Sequence, residues 1–309
     1  MLASNNGVLL SLCIPTNGII EWVIPLLDSI YSQNCNEDLF EVIITNNGEN
    51  NDLYGSIEKF LLIHKNIIYK KTNSVLFQNQ IDCFKLTHGL LVKFLNHRDI
   101  LEEGSINKII QIIENNKTDK PIIYFLNNQI QINKENKILD FNSFAYELSY
   151  YATWSGGTTF WGEDKDELLS KNEYDKYFPH IDIVFAYGND RKYLIINDRL
   201  SHQEPIDETK KGKYDLFDAF ANHFIEIIKP LYQKGKITKK TYNKIRFDNL
   251  LFVIGLHYQY VFKRRPCSYI VTNFWSEFLK QYTVLDFFGG YFNFFVRKLY
   301  SKIKKVYEK

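Results

Sequence analysis

The 309-residue chain lacks a cysteine framework, a long apolar run and an excess of charge of either sign. Its four cysteines show neither disulfide nor metal-ligand spacing, so we expect reduced thiols in a cytoplasmic protein. No apolar stretch reaches the roughly 18–20 residues of a membrane span. Residues 1–7 lack the basic start of a signal peptide. The net charge is only +2, so no global field favours nucleic acid as a partner.

The first hundred residues do contain short apolar runs that end in polar turns. Such runs are typical of strands buried on both faces. They lie at residues 8–14, 40–44, 66–70 and 90–95, and segments with helical spacing of apolar residues separate them. Strands that alternate with helices predict an α/β fold with a mostly parallel sheet and helices on both faces.

The later part of the chain is less regular. Isoleucines spaced three and four apart indicate a helix at 106–113. Further strands are predicted at 121–126, 129–132 and 193–196. Three helices are predicted after residue 213: at 217–231, from 238 towards 263, and from about 291 onwards. We therefore expect one sheet domain over residues 1–210 and a helical C-terminal region over 211–309.

Three predicted strands end in polar residues, at the edge where open α/β sheets place their ligands. The residues at these ends are Pro15 and Thr16, Asn46 and Asn47, and the run His97, Arg98 and Asp99. A carboxylate such as Asp99 supplies the oxygen ligands that Mg²⁺ and Mn²⁺ prefer, and helix N-termini at this edge favour a phosphate. These residues indicate a nucleotide site, although a helix-capping role is the alternative for Asp99.

The segments 12–16, 27–33 and 40–48, taken together, resemble the start of the bacterial family-two glycosyltransferases, which have the Rossmann-like GT-A fold. The resemblance covers roughly residues 8–205. In that family the first strand and the loop after the second cradle the nucleoside of a nucleotide sugar. The resemblance therefore implies nucleotide contacts from five residues: Pro15, Thr16, Asn46, Asn47 and Asn79.

A run like residues 91–101 carries the metal-binding Asp-x-Asp of that family. The residues implied to hold Mn²⁺ or Mg²⁺ and the donor diphosphate are Asp99, His97, Arg98 and His202. The motif is degenerate, because His97 replaces the first aspartate and imidazole is a poor ligand for Mg²⁺. Arg98 offers a direct way to offset phosphate charge. The family also usually has an aspartate where Asn46 stands, and an amide can still hydrogen-bond a base.

Two downstream segments extend the resemblance. Residues 155–160 are similar to the glycine-containing acceptor segment of the family, which implies acceptor contacts from Trp154, Gly156 and Gly157. Asp182 falls where the family places the base of an inverting transfer, a carboxylate that takes the acceptor hydroxyl proton. The alternatives are core packing for Trp154 and a helix N-cap for Asp182.

The C-terminal segment combines phenylalanines at helical spacing with six basic residues from Arg297 onwards, against Glu308 alone. A basic amphipathic helix of this kind is typical of attachment to a membrane surface. A solvated face or an oligomer contact is the alternative.

The sequence thus predicts a cytoplasmic transferase, peripheral on the inner face of the bacterial membrane. It would transfer a sugar from a nucleotide diphosphate donor, with UDP favoured, to a glycan or lipid-linked acceptor in surface polysaccharide or capsule synthesis. The rival hypothesis, motivated by His97, is a catalytically silent GT-A homologue that binds a nucleotide or a partner transferase. A nucleotidyltransferase is a third hypothesis, but the N-terminal strand lacks the glycine-rich, lysine-bearing loop that it would need.

Overall fold

The computed structural model describes residues 7–49, 52–130, 138–204 and 207–307. Contacts within the chain divide it into two compact units. The first comprises Met1–Phe144 and Thr153–Pro205, and the second comprises Ala145–Ala152 and Ile206–Lys309. Every residue predicted for the site belongs to the first unit.

Most strands of the first unit correspond to the apolar runs of the sequence. In chain order they are β1 Leu10–Thr16, β2 Phe40–Asn46, β3 Ile67–Lys71, β4 Leu91–Phe94, β5 Asp99–Leu101, β6 Ile122–Phe125, β7 Ile138–Leu139, β8 Thr159–Trp161, β9 Tyr193–Ile196 and β10 Ser201–Gln203. The central sheet has the order β3-β2-β1-β4-β8, in which β8 alone runs antiparallel to its neighbour. All of β2 is buried, as expected for a strand covered on both faces. The predicted α/β class with a mostly parallel sheet is confirmed.

Helices connect these strands. In the chain up to residue 205 they are α1 Ile20–Tyr31, α2 Asp52–Ile63, α3 Asn79–Lys85, α4 Ser105–Asn116, α5 Phe141–Leu148, α6 Lys165–Leu168 and α7 Pro179–Val184. The predicted isoleucine stripe of α4 is buried at Ile106, Ile109 and Ile113. Burial of such an apolar stripe stabilises the helix within the first unit.

Two small sheets complete the first unit. β5 and β10 form an antiparallel ribbon in which Asp99 lies opposite Gln203. β6, β9 and β7 form the other, with β6 parallel to β9. The strand predicted over residues 129–132 is wrong at its start, because Gln129 and Ile130 are not in a strand. The preceding Asn127 and Asn128 both have positive φ, which turns the chain there. Residues 131 and 132 lie outside the described part.

The second unit is helical. Its helices beyond residue 206 are α8 Phe224–Gln233, α9 Lys239–Leu256, α10 Phe274–Phe278 and α11 Val284–Tyr307. Pro230 lies inside α8 rather than ending it. The carbonyl that loses its helical partner at this proline belongs to Glu226, an exposed residue. No helix within the described ranges is both long and apolar enough to span a bilayer.

Candidate active site

The ends of β1 and β4 meet at one edge of the central sheet. Their parallel pairing continues past the strands, where Leu95 N donates to Cys13 O at 2.8 Å. The hydroxyl of Thr16 consequently lies 2.7 Å from Nδ1 of His97 and also accepts from Gly18 N at 3.1 Å. Thr16 is buried, so this hydroxyl joins two strand ends inside the protein. The structure therefore brings two predicted site residues into direct contact.

The end of β2 lies beside the end of β1, with Asn46 opposite Thr16 in the register. Asn46 is completely buried, and its Oδ1 accepts from Gly48 N at 2.8 Å while its Nδ2 donates to Tyr69 Oη at 3.2 Å. The amide of Asn47 donates to Ser74 O and Leu76 O, each at 2.9 Å. Both side chains therefore hold the loops of this edge in place.

Asn79, at the start of α3, ties the strand ends together. Its Nδ2 donates to Thr45 O at 2.9 Å and to Thr16 O at 3.3 Å. Its Oδ1 accepts from Thr72 Oγ1 at 2.8 Å. Because Asn79 is buried with its amide engaged on both sides, it positions the loops at this edge.

Gly48 shows how closely these loops approach. A Cβ atom at this position would lie 1.7 Å from the carbonyl oxygen of Asn17. A backbone oxygen cannot move aside as a flexible side chain can, so only glycine fits. The loops after β1 and β2 therefore form one packed surface, to which the half-buried Pro15 at the end of β1 also belongs.

Asp99 begins the ribbon strand β5 and is almost fully buried. One carboxylate oxygen accepts from Gln203 Nε2 at 2.7 Å, and the other accepts from Asn96 N at 3.0 Å. Burial raises the pKa of Asp99, and the Gln203 hydrogen bond and the charges of Lys93 and Arg98 oppose that rise. Gln203 was not predicted, because its place opposite Asp99 depends on the ribbon register.

His97 and Arg98 both contact Trp22 of α1. The rings of Trp22 and His97 meet edge to face with centroids 5.0 Å apart, and Arg98 Cζ lies 5.7 Å from the Trp22 ring. Burial, with a smaller effect of the neighbouring Arg98 charge, lowers the pKa of His97 to about 3. His97 is therefore neutral at pH 7. Trp22 was not predicted as part of the site.

His202 is not brought to Asp99. Its Nδ1 lies 3.1 Å from a carboxylate oxygen of Glu102, and Arg199 Nε lies 2.8 Å from the same oxygen. Successive residues of a strand point to opposite faces, so Gln203 faces Asp99 while His202 faces the other way. The sequence could not assign these faces, because the register of the ribbon was not known.

Lys93 is a second buried charge near Asp99. It lies in β4, where its Nζ donates to Gly156 O at 2.8 Å and to Phe94 O at 3.2 Å. Burial lowers the pKa of Lys93 to about 8, and the nearby Asp99 charge opposes the shift. Lys93 links β4 to the glycine segment. The signal for it was a single lysine within an apolar run.

The predicted acceptor glycines, Gly156 and Gly157, are closely packed within the first unit. A Cβ on Gly157 would lie 2.3 Å from the ring of Tyr124 and 2.6 Å from Phe125 O. A Cβ on Gly156 would lie 2.7 Å from the ring of Trp154, whose carbonyl accepts from Tyr124 Oη at 2.5 Å. Close packing thus explains both glycines, and their contact with an acceptor stays a prediction.

Asp182 lies within α7, whose N-cap residue is Phe178. Asp182 is therefore not the N-cap that was its alternative role. One carboxylate oxygen accepts from Asp175 N at 2.8 Å, and the other lies 3.7 Å from Lys171 Nζ. Gln78, next to Asn79, donates to Asp175 O at 3.0 Å. A short series of contacts thus connects the candidate base to Asn79 and the loops that Asn79 holds at the sheet edge.

The residues present do not fit a divalent cation well. Asp99 is the only carboxylate of the degenerate motif, and both of its oxygens already accept hydrogen bonds. His97 has one ring nitrogen committed to Thr16. In the described part of the chain, no cluster of three or more His, Cys, Asp and Glu side chains is arranged to bind a metal.

Comparisons with known proteins address the fold. No protein-family model and no curated protein sequence matches the chain, whereas 192 chains of solved structures do. The fold is that of the GT-A transferases. The S. aureus glycosyltransferase TarS, residues 1–349 in complex with UDP-GlcNAc, matches with a TM-score of 0.60 at 14% identity. The match covers 89% of this chain and 79% of that one.

Another TarS structure matches with a TM-score of 0.50 at 16% identity and covers 82% of this chain. This chain spans only 44% of that longer TarS chain. The mannosyltransferase PcManGT from Pyrobaculum calidifontis, in complex with GDP-Man and Mn²⁺, is 11% identical over 93% of this chain and 86% of its own. Its TM-score of 0.49 is too low to support an argument. The expected resemblance to GT-A glycosyltransferases is thus confirmed for the fold.

Proposed function

We propose that this chain is an inverting glycosyltransferase that uses a nucleotide diphosphate sugar. Its acceptor would be a glycan or a lipid-linked oligosaccharide in bacterial surface polysaccharide synthesis. The observation that carries the proposal is the meeting of Thr16, Asn46 and His97 at one edge of a GT-A sheet. That edge is where ligands of open α/β sheets bind. TarS supports this class of donor, because its solved structures include complexes with UDP-GlcNAc and UDP.

The loops after β1 and β2 would hold the nucleoside, and UDP is favoured because the TarS complexes contain it. The side chains of Asn46 and Asn79 are engaged within the protein, so we expect them to shape the nucleoside pocket rather than to reach the base. Thr16 would fix the position of the following turn, whose Gly18 N donates to its hydroxyl. Backbone groups of these loops then become the main contacts with the nucleoside.

Asp182 would act as the base. Its carboxylate takes the proton of the acceptor hydroxyl as that oxygen attacks the anomeric carbon, and the bond to the diphosphate oxygen breaks with its electron pair. The contact with Asp175 N fixes one carboxylate oxygen. The other oxygen lies 3.7 Å from Lys171 Nζ.

The test measures release of the nucleotide diphosphate from a panel of nucleotide sugars. Asp182→Asn should lower turnover by about 10²–10⁴-fold, the usual contribution of a general base, and leave donor affinity nearly unchanged. Asp166→Asn, at an exposed aspartate of α6, is the matched control and should behave like the wild type. Full turnover in Asp182→Asn would refute the base. No turnover and no binding of any nucleotide sugar would refute the proposed function and leave only the partner-binding role of the silent homologue.

We also propose that α11 attaches the protein to the inner face of the membrane. Leu285, Phe288, Phe292 and Leu299 recur at spacings of three, four and seven and are 61–82% exposed. A helical apolar stripe of this size is rarely left to water. The adjacent Arg297 and the later lysines of the sequence would favour anionic lipids.

Vesicle sedimentation tests this attachment. We expect binding to vesicles that contain phosphatidylglycerol and weaker binding to pure phosphatidylcholine. The double variant Phe288→Ser/Phe292→Ser should lower partitioning by about tenfold or more, given the apolar area removed. The control, Leu62→Ser/Ile63→Ser, removes equally exposed apolar side chains from α2. Equal partitioning of both double variants would contradict the role of α11.

A further inference from the structure

The carboxylate of the degenerate motif is buried and already hydrogen-bonded at both oxygens. Asp99 is 2% exposed, and its two oxygens accept from Gln203 Nε2 and Asn96 N. A hard divalent cation in a protein usually takes several oxygen ligands. Asp99 offers only one carboxylate, and each of its oxygens already accepts a hydrogen bond, one of which ties β5 to β10 through Gln203.

The histidine of the motif does not replace the missing carboxylate. Nδ1 of His97 is 2.7 Å from the Thr16 hydroxyl, and the ring is held edge to face against Trp22. Its remaining nitrogen would be a single imidazole ligand, which binds Mg²⁺ poorly. From the protein, the two residues together therefore offer a cation one hydrogen-bonded carboxylate and one imidazole nitrogen, in place of the two carboxylates of Asp-x-Asp.

Arg98, between them in sequence, has the opposite character. Its Nε donates to Asn96 Oδ1 at 3.2 Å, and its Cζ lies 5.7 Å from the Trp22 ring. In the described ranges no carboxylate lies within ion-pair distance of it. The guanidinium is thus anchored through Nε, while its two terminal nitrogens remain available. This is the geometry in which arginine binds phosphate oxygens in pairs.

We propose that this site binds the donor diphosphate without a divalent cation, with the guanidinium of Arg98 supplying the positive charge. The inference rests on the proposed function, because it concerns the same nucleotide diphosphate. Asp99 then has a positioning role: through Gln203 and Asn96 it holds the turn of residues 96–98 that presents Arg98.

Calorimetric titration with UDP and with GDP tests the proposal, each in excess EDTA and each with MnCl₂. For the nucleotide that binds, the wild-type dissociation constant should agree within about twofold between the two conditions. Arg98→Gln should weaken binding by about tenfold or more in both, since hydrogen bonds to charged groups are the strong ones. Arg98→Lys keeps the charge but not the planar guanidinium, so its affinity should lie between those of the wild type and Arg98→Gln. Arg264→Gln, at an exposed arginine of the second unit, is the control for charge removal.

The outcomes separate the two proposals. Nucleotide binding that needs Mn²⁺ and is lost in Asp99→Asn would overturn the metal-free site and leave the proposed function intact. Equal affinity of Arg98→Gln and Arg264→Gln would show that Arg98 does not supply the charge. A protein that binds neither UDP nor GDP in either condition would overturn the proposed function and this inference with it. A titration with Mn²⁺ alone, followed by electron paramagnetic resonance, should show no stoichiometric site.

Discussion

Thr16→Val removes one oxygen from the centre of the candidate site and keeps the shape of the side chain. The lost hydroxyl accepts from Gly18 N at 3.1 Å and lies 2.7 Å from His97 Nδ1. Thr16 is only 2% exposed, so water does not readily replace it. A buried polar group without a partner costs about 1–3 kcal/mol. With two such groups, and some gain from the more apolar valine, we expect a loss of about 2–4 kcal/mol.

Guanidinium chloride unfolding, followed by circular dichroism, measures this loss as a shift of the transition midpoint. Thr16→Ser is the matched control, because it keeps the hydroxyl and loses only a methyl group. It should lie much closer to the wild type than Thr16→Val does. The reasoning is refuted if Thr16→Val stays within about 0.5 kcal/mol of the wild type, or if the serine variant is equally unstable.

Two further predictions concern His97 and the glycines. The folded pKa of His97, about 3, lies below the unfolded value near 6.5. The unfolded chain therefore binds a proton that the folded chain does not, and stability falls as the pH drops from 6.5 towards 3. His97 should account for a loss of about 1 kcal/mol in the free energy of unfolding between pH 7 and pH 5.5. Denaturant unfolding of His97→Gln at the two pH values should lack this loss. Gly157→Ala should destabilise by about 1–3 kcal/mol through overpacking, measured by the melting temperature. Gly55→Ala, in helix α2 with open space around it, should instead stabilise the protein by about 0.5–1 kcal/mol. If both substitutions changed stability in the same direction, the packing argument would be contradicted.

The fold was predictable where burial alone determines the pattern. β1 and β2 are buried along almost their whole length, so their sequences are continuous apolar runs. The start of α11 was not predictable in this way. The helix begins at Val284, seven residues before the predicted start, and includes Gly290. A Cβ there would lie 2.9 Å from Ile254 of α9, so this glycine serves a close contact between helices that no local pattern shows.

The site was predictable to the level of its backbone. Parallel strands end at one edge, so Thr16, Asn46 and His97 were expected to lie together. Which of their polar atoms are already engaged was not predictable. The partner of Asp99 is Gln203, and that pairing depends on an antiparallel register between segments a hundred residues apart. A shift of one residue would have put His202 there instead.

The charges around β4 bear on the diphosphate site that we propose at this edge. Lys93 and Asp99 are 4% and 2% exposed, and burying either alone would be costly. Each opposes the pKa shift that burial imposes on the other, so the two charges compensate. His97 is neutral at pH 7. Under the proposed function, the guanidinium of Arg98 is the positive charge at this strand end that would attract the donor diphosphate.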